Sequence, residues 1–371
     1  MNRFVGYLFG FAIAVAYWPG ISGAATSPRW AVAAFLAAIL AMTWERIRFT
    51  WAHLIGALFL CWSFATYAWS LSPFDTIGAS WKLIIAGCAF CVGTQTPKLR
   101  PVYVGAAIGL IVSTFVALAQ WSGTVVVPDL PIWTFAPGLF VNELFFAEAL
   151  ALIVIALMAE GLWPLMVFLL APLFMMQERA PFLAFSVGLL VFAWPRFRKI
   201  AICLAVLGVT FTALLSLGAN RSTTVVHRLA LWQSTISAVT PMGAGLGSFT
   251  EAAPQPIEGF HFEHPHNEFL ETAYETGLVG ASLLAAFFVV LLAMGRAETE
   301  RALLVVLLVE MCFAFPLHEP FTLSIGALSA GYLARDLPRV RSTIAYCREL
   351  VRRRMAARRE RAALRRFAQQ S

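Results

Sequence analysis

A polar stretch that could carry proton-transfer chemistry lies directly before a long apolar segment. It contains His266 and Asn267, followed further on by Gly277 and Gly280. An imidazole with an ordinary pKa of about 6.5 can accept a proton near neutral pH. The chain as a whole is 60% hydrophobic and only 13% charged. A histidine-bearing run in such a chain indicates a catalytic site at the face of a membrane.

Three arginines form the second group of candidate residues: Arg179, Arg221 and Arg228. A guanidinium stays charged and can bind two oxygens at once, which suits a diphosphate. Arg179 stands two residues before Pro181, a residue type that is common in the first turn of a helix. We therefore expect Arg179 at a helix amino terminus, where free N–H groups and the helix dipole favour a bound anion.

The spacing after His266 predicts how its helix would pack. At about 100° per residue, a helix that starts at His266 places Leu270, Ala273, Gly277 and Gly280 on the same face. Small residues let another helix approach closely. We therefore expect His266 to stand at the end of a packed face and to point into the protein.

Several neighbouring residues are weaker candidates. His264 could assist His266, and His318 and Glu319 could approach the site from a short outer turn. Glu271 and Glu275 fall away from the small-residue face. We expect these two carboxylates to line a wet cavity or to lie near the membrane interface.

Apolar blocks along the chain predict an all-α, polytopic membrane protein. Soluble domains contain about 25% charged residues, far more than this chain, and the blocks approach the length that crosses a hydrocarbon core of about 30 Å. The blocks number twelve: 4–18, 30–44, 51–70, 77–95, 101–121, 141–159, 163–176, 180–195, 199–217, 266–293, 301–317 and 320–334.

Basic residues orient these spans, since cytoplasmic loops carry an excess of lysine and arginine. With the amino terminus inside, 22 of the 27 basic residues fall on the inner side. This arrangement predicts a transmembrane domain over residues 1–334, with one large periplasmic loop at about 218–265 between spans nine and ten. Residues 335–371 then form a basic cytoplasmic tail that rests on the anionic inner leaflet. Nucleic-acid binding by the tail is the disfavoured alternative.

The site motifs resemble those of the O-antigen ligase and polymerase family of bacterial envelope glycan enzymes. That family has a histidine, then Asn, Ser or Gln, nine residues, a glycine, two residues and a second glycine. The pattern appears here as His266-Asn267 followed by Gly277 and Gly280.

Two arginine motifs strengthen the resemblance, which covers about residues 130–290. A family arginine that follows a short outer loop matches Arg179. A second arginine, with a tryptophan four residues later and then a Pro-x-Gly-x-Gly-x-Gly turn, matches Arg228, Trp232 and residues 241–247. We interpret that glycine run as a tight backbone turn, because no strand precedes it as in a nucleotide-binding fingerprint.

The resemblance implies a metal-independent glycosyltransferase of the bacterial inner membrane, with no cofactor and with its active site facing the periplasm. The donor would be a glycan on undecaprenyl diphosphate. Arg179 and Arg228 would stabilise the leaving diphosphate, with Arg221 as a third contact. His266 would take a proton from the acceptor hydroxyl, or orient that hydroxyl.

Several functions remain open on the sequence alone. A ligase that builds lipopolysaccharide by joining a polysaccharide to lipid A–core is favoured over a polymerase that extends another lipid-linked glycan. A protein O-oligosaccharyltransferase is disfavoured, because no extra periplasmic domain is evident. A transporter would suit the charged Lys82 and Glu310 within apolar spans, but no repeat relates the two halves.

Overall fold

The computed structural model describes residues 1–43, 47–124, 127, 137–216, 219–257 and 259–340. Within these residues the protein is all-helical and contains no strand, so the predicted all-α class is confirmed. The side chains of several residues between 196 and 224, Arg221 among them, fall outside the described part. Most of the basic tail, residues 341–371, also lies outside it.

The described residues contain the following α-helices: α1 (Arg3–Val15), α2 (Thr26–Thr43), α3 (Trp51–Ala65), α4 (Pro73–Gln95), α5 (Arg100–Trp121), α6 (Glu143–Ala159), α7 (Trp163–Met176), α8 (Arg179–Ser216), α9 (Ala219–Ala238), α10 (Phe249–Ala252), α11 (Glu268–Met294), α12 (Glu298–Phe313) and α13 (Pro320–Ala334). Short 3-10 turns at Thr66–Trp69, Gly138–Phe140 and Pro316–His318 extend or precede some of them.

Five segments of the described residues are long and apolar enough to cross a membrane: Thr26–Thr43, Trp51–Trp69, Pro73–Gln95, Arg100–Trp121 and Glu268–Met294. They indicate a multi-pass membrane protein. The remaining predicted blocks fall on shorter helices, so the count of twelve spans stays a prediction.

The predicted spans eight and nine both lie in α8. Hydrogen bonding continues through this helix, but Phe197 has non-helical backbone angles (φ −141°, ψ 54°). The break follows Pro195, which has no N–H to donate and crowds the carbonyl four residues earlier. The two segments are therefore separated by a kink.

Helix α6 forms the centre of the bundle. Every residue from Phe146 to Met158 is buried, and the helix packs against α5, α7, α8, α12 and α13. Apart from Glu143 and Glu148, its sequence is apolar on all sides, which is typical of a helix surrounded by other helices.

Glycines set the close approach of helix pairs. A Cβ at Gly10 of α1 would collide with the carbonyl oxygen of Val102 in α5, and one at Gly105 would collide with that of Tyr7. Lipid offers little hydrophobic drive for helices to associate, so such backbone contact supplies the packing energy.

Helix α11 is broken at Gly277, whose backbone angles (φ 70°, ψ −178°) are essentially restricted to glycine. The break frees carbonyl groups that a continuous helix would use. The turn at 241–247 supplies their partners. The Ala244 N–H donates to the Tyr274 carbonyl at 2.9 Å, and the Gly245 N–H donates to the Glu275 carbonyl at 2.8 Å.

Helix α3 completes the set of partners at this break. The indole N–H of Trp62 donates to the carbonyl of Thr276 at 2.7 Å. A Cβ on Gly280 would also press against Trp62 and the Thr276 side chain. The expectation that Gly280 permits close packing is therefore confirmed.

The other part of the helical-face prediction is wrong. Helix α11 begins at Glu268, so His266 precedes it, with a left-handed backbone at φ 54°. Gly277 is the break in the helix and not a member of a continuous small-residue face. The interpretation of 241–247 as a tight turn is confirmed, because Gly243, Gly245 and Gly247 all have positive φ.

We predict that Gly277→Ala lowers the thermal-unfolding midpoint in detergent much more than Gly259→Ala. Both glycines have positive φ, but a Cβ at Gly277 would collide with the Pro241 carbonyl, whereas one at Gly259 meets open space. Left-handed strain alone costs about 1–2 kcal/mol, and we expect at least about 3 kcal/mol at Gly277. Equal decreases in the thermal-unfolding midpoint for the two variants would contradict a role for the contact between Gly277 and Pro241.

Candidate active site

His266 is held in place from both sides. On its amino-terminal side, the indole N–H of Trp232 donates to the carbonyl of Pro265 at 2.6 Å. On its carboxyl-terminal side, Asn267 is the N-cap of α11, and its Oδ1 accepts from the Leu270 N–H at 2.9 Å. The imidazole is therefore positioned by a loop that is hydrogen-bonded to α9 and by the N-cap of α11.

Arg228 lies on α9, one turn before Trp232, and faces His266. Its Nη2 is 3.5 Å from His266 Nδ1, at the long end of hydrogen-bond distance. Its Nη1 donates at 3.2 Å to the carbonyl of Phe313, at the carboxyl end of α12. Among the described residues Arg228 has no carboxylate ion-pair partner, and its buried Nε has no hydrogen-bond partner.

Arg179 is the first residue of α8 and contributes a second positive charge near Arg228. Burial lowers the pKa of Arg228 from its ordinary value, and the charge of Arg179 lowers it further, while Glu178 acts in the opposite direction. Two like charges near a helix amino terminus repel each other, and a bound anion would reduce this repulsion.

His266 is a neutral imidazole near neutral pH. Burial lowers its pKa to about 3, and the charge of Arg228 adds to this effect, while Glu271 opposes it. Such an imidazole is a weak base. The lowered pKa therefore favours the orienting role for His266 over the role of proton acceptor.

A second group of side chains, the His–Glu–His cluster (His264, Glu271 and His318), lies beside His266. The Oε1 atom of Glu271 is 2.9 Å from His264 Nδ1 and 3.2 Å from His318 Nε2. The centroids of the two imidazole rings are 4.0 Å apart. The three donor atoms lie within 4.8 Å of one another, but both nitrogens already face one oxygen at hydrogen-bond distance.

The prediction that Glu271 and Glu275 lie near water is wrong. Glu271 is 3% exposed and Glu275 is 6% exposed. Glu275 accepts from the backbone N–H of Phe249 at 3.2 Å. The broken helix admits loops from elsewhere in the chain, and these loops bury the carboxylates and supply their hydrogen-bond donors.

Glu268 completes the acidic side of the site. Its Oε1 accepts from the Leu317 N–H at 2.7 Å, and its Oε2 is 3.7 Å from His318 Nε2. Phe315, in the same loop, is a shared aromatic platform. Its ring centroid lies 4.9 Å from that of His264 and 5.0 Å from that of His266.

Two further polar residues, Arg29 and Glu319, have structural roles. Arg29 is fully buried and donates to the carbonyls of Ile13 and Leu139, which ties α1 and α2 to the 138–140 turn. Glu319 caps α13 by accepting from the Thr322 N–H at 2.9 Å. Neither residue contacts His266 among the described interactions.

The structure thus brings together Arg179, Arg228, Trp232, His266 and Asn267, with Gly277 and Gly280 shaping the helix below them. From the sequence, His264 and His318 were only weaker candidates, and Phe315 was not predicted to be part of the site. The closely spaced polar residues at 264–271 were a visible signal. Their pairing with the 315–318 loop was not visible, because about fifty residues separate the two.

Lys82 and Glu310, the charged residues that would suit a transporter, lie in different surroundings from each other. Lys82 lies 5.8 Å from the ring centroid of Trp30. Glu310 and Glu148 are fully buried carboxyls, and the charge of Glu310 acts on Glu148. Both side chains lack hydrogen-bond partners among the described residues. Glu310 lies on α12 and Glu148 on α6.

An apolar cavity of about 380 Å³ lies between α3, α4, α11, α12 and α13. Its lining includes Gly56, Gly87, Phe287 and Gly326, and it reaches Leu317. Leu317 is the residue whose N–H binds Glu268, so the cavity approaches the acidic side of the site.

The chain resembles a known protein family over part of its length. Residues 164–285 match the sequence model of a protein family described as O-antigen ligase. The matched region contains all three candidate arginines, His266 and the two motif glycines. No curated protein matches the chain.

We predict that His266 makes the protein less stable in acid. Its pKa is about 3 in the folded state and about 6.5 in the unfolded state. Between these values the unfolded chain binds the extra proton, so the free energy of unfolding falls as the pH falls from about 6.5. The contribution of His266 to this decrease in the free energy of unfolding reaches about 1.4 kcal/mol per pH unit.

The control for this prediction is His266→Asn, because asparagine tolerates a left-handed backbone. Thermal-unfolding midpoints should be measured from pH 7 to pH 4. Other buried carboxylates titrate in both proteins, so the measured quantity is the difference between them. A wild type that is no more acid-sensitive than His266→Asn would contradict the prediction.

Proposed function

Because residues 164–285 assign this chain to the O-antigen ligase family, we propose that it is a metal-independent glycosyltransferase of the bacterial inner membrane. It moves a glycan from undecaprenyl diphosphate to a hydroxyl of lipid A–core at the periplasmic face. The observation that carries this proposal is the position of Arg228, which faces His266 beside the charge of Arg179.

The two arginines suit the leaving group. When the bond between the sugar and the phosphate breaks, negative charge develops on the lipid diphosphate, and prepositioned cations lower the energy of that transition state. Arg228 is partly buried and forms no ion pair with a described carboxylate. Its charge is therefore available to an incoming anion. The amino terminus of α8 adds its dipole to the same site.

His266 suits a position next to the acceptor hydroxyl. It contacts Arg228 through Nδ1, so the diphosphate site and the imidazole are adjacent. The neutral ring can hold the acceptor oxygen in line with the anomeric carbon. Orientation of this kind contributes strongly to catalysis.

The apolar cavity supports a lipid-linked donor. It is lined almost entirely by aliphatic and aromatic residues, and it rises to Leu317 beside the acidic side of the site. A prenyl chain held there would keep its diphosphate near the surface of the membrane. This use of the cavity belongs to the proposal.

We predict that Arg228→Ala and Arg179→Ala each lower the rate of glycan transfer by about 10²–10³-fold, the usual effect of losing one group that stabilises developing charge. The measurement is transfer from a purified lipid-diphosphate donor in detergent. Arg296→Gln is the matched control, because Arg296 is exposed and lies in the loop between α11 and α12. A fall of less than threefold for both site variants would contradict the assignment.

A second prediction concerns the envelope glycan of the native host. Deletion of the gene should abolish glycan on lipid A–core while lipid-linked polymer accumulates, as seen on an envelope polysaccharide gel. A single repeat on lipid A–core would instead identify a polymerase, which shares the donor chemistry. The deletion strain should stay defective when it carries His266→Ala, Arg179→Ala and Arg228→Ala together, and a normal gel pattern would refute the proposed site.

A further inference from the structure

We propose that His264, supported by Glu271, is the group that takes the proton from the acceptor hydroxyl, while His266 donates a hydrogen bond at the same site. This inference rests on the proposed glycosyl transfer and assigns its acid–base step. It gives the two histidines opposite roles because their hydrogen-bond partners require opposite tautomers.

The carboxylate sets the tautomer of His264. Glu271 Oε1 lies 2.9 Å from His264 Nδ1 and accepts its hydrogen bond. A neutral imidazole carries one proton, so Nδ1–H leaves the lone pair on Nε2. The His264 side chain is 20% exposed, and its Nε2 has no partner among the described residues. That nitrogen is free to accept a proton from a substrate.

The arginine sets the opposite tautomer for His266. A guanidinium can only donate, so the Nδ1 atom that faces Arg228 at 3.5 Å carries the lone pair. The proton of the neutral ring is then on Nε2, which can donate but cannot accept. Protonation of Nδ1 is opposed by the adjacent positive charge.

The surroundings hold Glu271 in the required position. His318, in the 315–318 loop, places its Nε2 atom 3.2 Å from the same Oε1 atom of Glu271. The Oε2 atom of Glu268 lies 3.7 Å from the same His318 nitrogen. Both candidate histidines pack against the ring of Phe315, which places them around one aromatic side chain. The other charged and titratable groups near the cluster are Lys82 on α4, His266 in the loop before α11, and Glu268 and Glu275 on α11 itself.

The step balances as a single displacement. The acceptor O–H bond breaks and its proton moves to His264 Nε2. The acceptor oxygen forms a bond to the anomeric carbon as the bond from that carbon to the phosphate oxygen breaks. The electron pair of the broken bond stays on the diphosphate, which faces Arg228 and Arg179. The imidazolium is stabilised by Glu271 and later returns its proton to water.

The test uses His264→Gln in the full-length protein, with azide as a second nucleophile. General-base catalysis contributes about 10²–10⁴-fold, so transfer to the hydroxyl acceptor should fall by that factor. Azide is an anion with no proton to give up. With the lipid-diphosphate donor it should therefore form glycosyl azide as fast in His264→Gln as in the wild type.

Four other variants make this result specific. Arg228→Ala and His266→Ala should not be rescued by azide, because they lack groups that act on the leaving diphosphate or on orientation. Glu271→Gln should show a smaller loss with the hydroxyl acceptor, and azide should restore its rate. His261→Gln, an exposed histidine three residues from His264, should keep the wild-type rate with both nucleophiles.

The outcomes separate this inference from the proposed function. No transfer by the wild type to either nucleophile would overturn the proposed function itself. An active wild type combined with a His264→Gln rate within threefold of it would overturn only the inference. Failure of azide to rescue His264→Gln would do the same. If a chelator abolished wild-type activity and added zinc restored it, the cluster would be a binding site for a metal ion needed for activity. That result would also overturn the inference.

Discussion

The break in α11 is the constraint on which the rest of the site depends. A helix that ended its hydrogen bonding in the middle of an apolar bundle would leave costly unpaired carbonyls. Here the turn at 241–247 and the indole of Trp62 supply donors to the three carbonyls that precede Gly277. The same turn continues from the end of α9, so satisfying the broken helix also brings Arg228 to His266.

This arrangement explains why distant motifs belong together. The glycine of the His–Gly–Gly pattern and the glycines of the turn press their backbones against one another, because a Cβ at Gly243 would meet Glu275 and Gly277. Neither element can keep its position without the other. Trp232 adds a second connection, from α9 to the loop that carries His266. The candidate site is therefore a product of backbone contact.

Charge is distributed across the site in two sectors. Arg179 and Arg228 form a positive sector, and the carboxylates at the start of α11 form a negative one, with histidines between them. An imidazole nitrogen that faces an arginine keeps its lone pair, and an imidazole nitrogen that faces a carboxylate keeps its proton. The proposed division of labour between His266 and His264 follows from this gradient.

Much of the architecture was readable from local pattern. Apolar blocks coincide with helices, and positive φ at the three turn glycines agrees with their spacing. The predicted helical face failed at His266 and Gly277, because periodicity assumes an unbroken helix. Glu271 and Glu275 were expected near water, because they fall away from the small-residue face of a continuous helix.

The sequence by itself determined the helical class, the membrane environment and the residue types of the candidate site, because hydropathy and motif spacing are local properties. Tertiary structure alone decided where α11 breaks, which groups satisfy its carbonyls, and which histidine meets Arg228 or Glu271. These are contacts between segments far apart in the chain. Their geometry depends on how loops enter the broken helix, and no single segment encodes that.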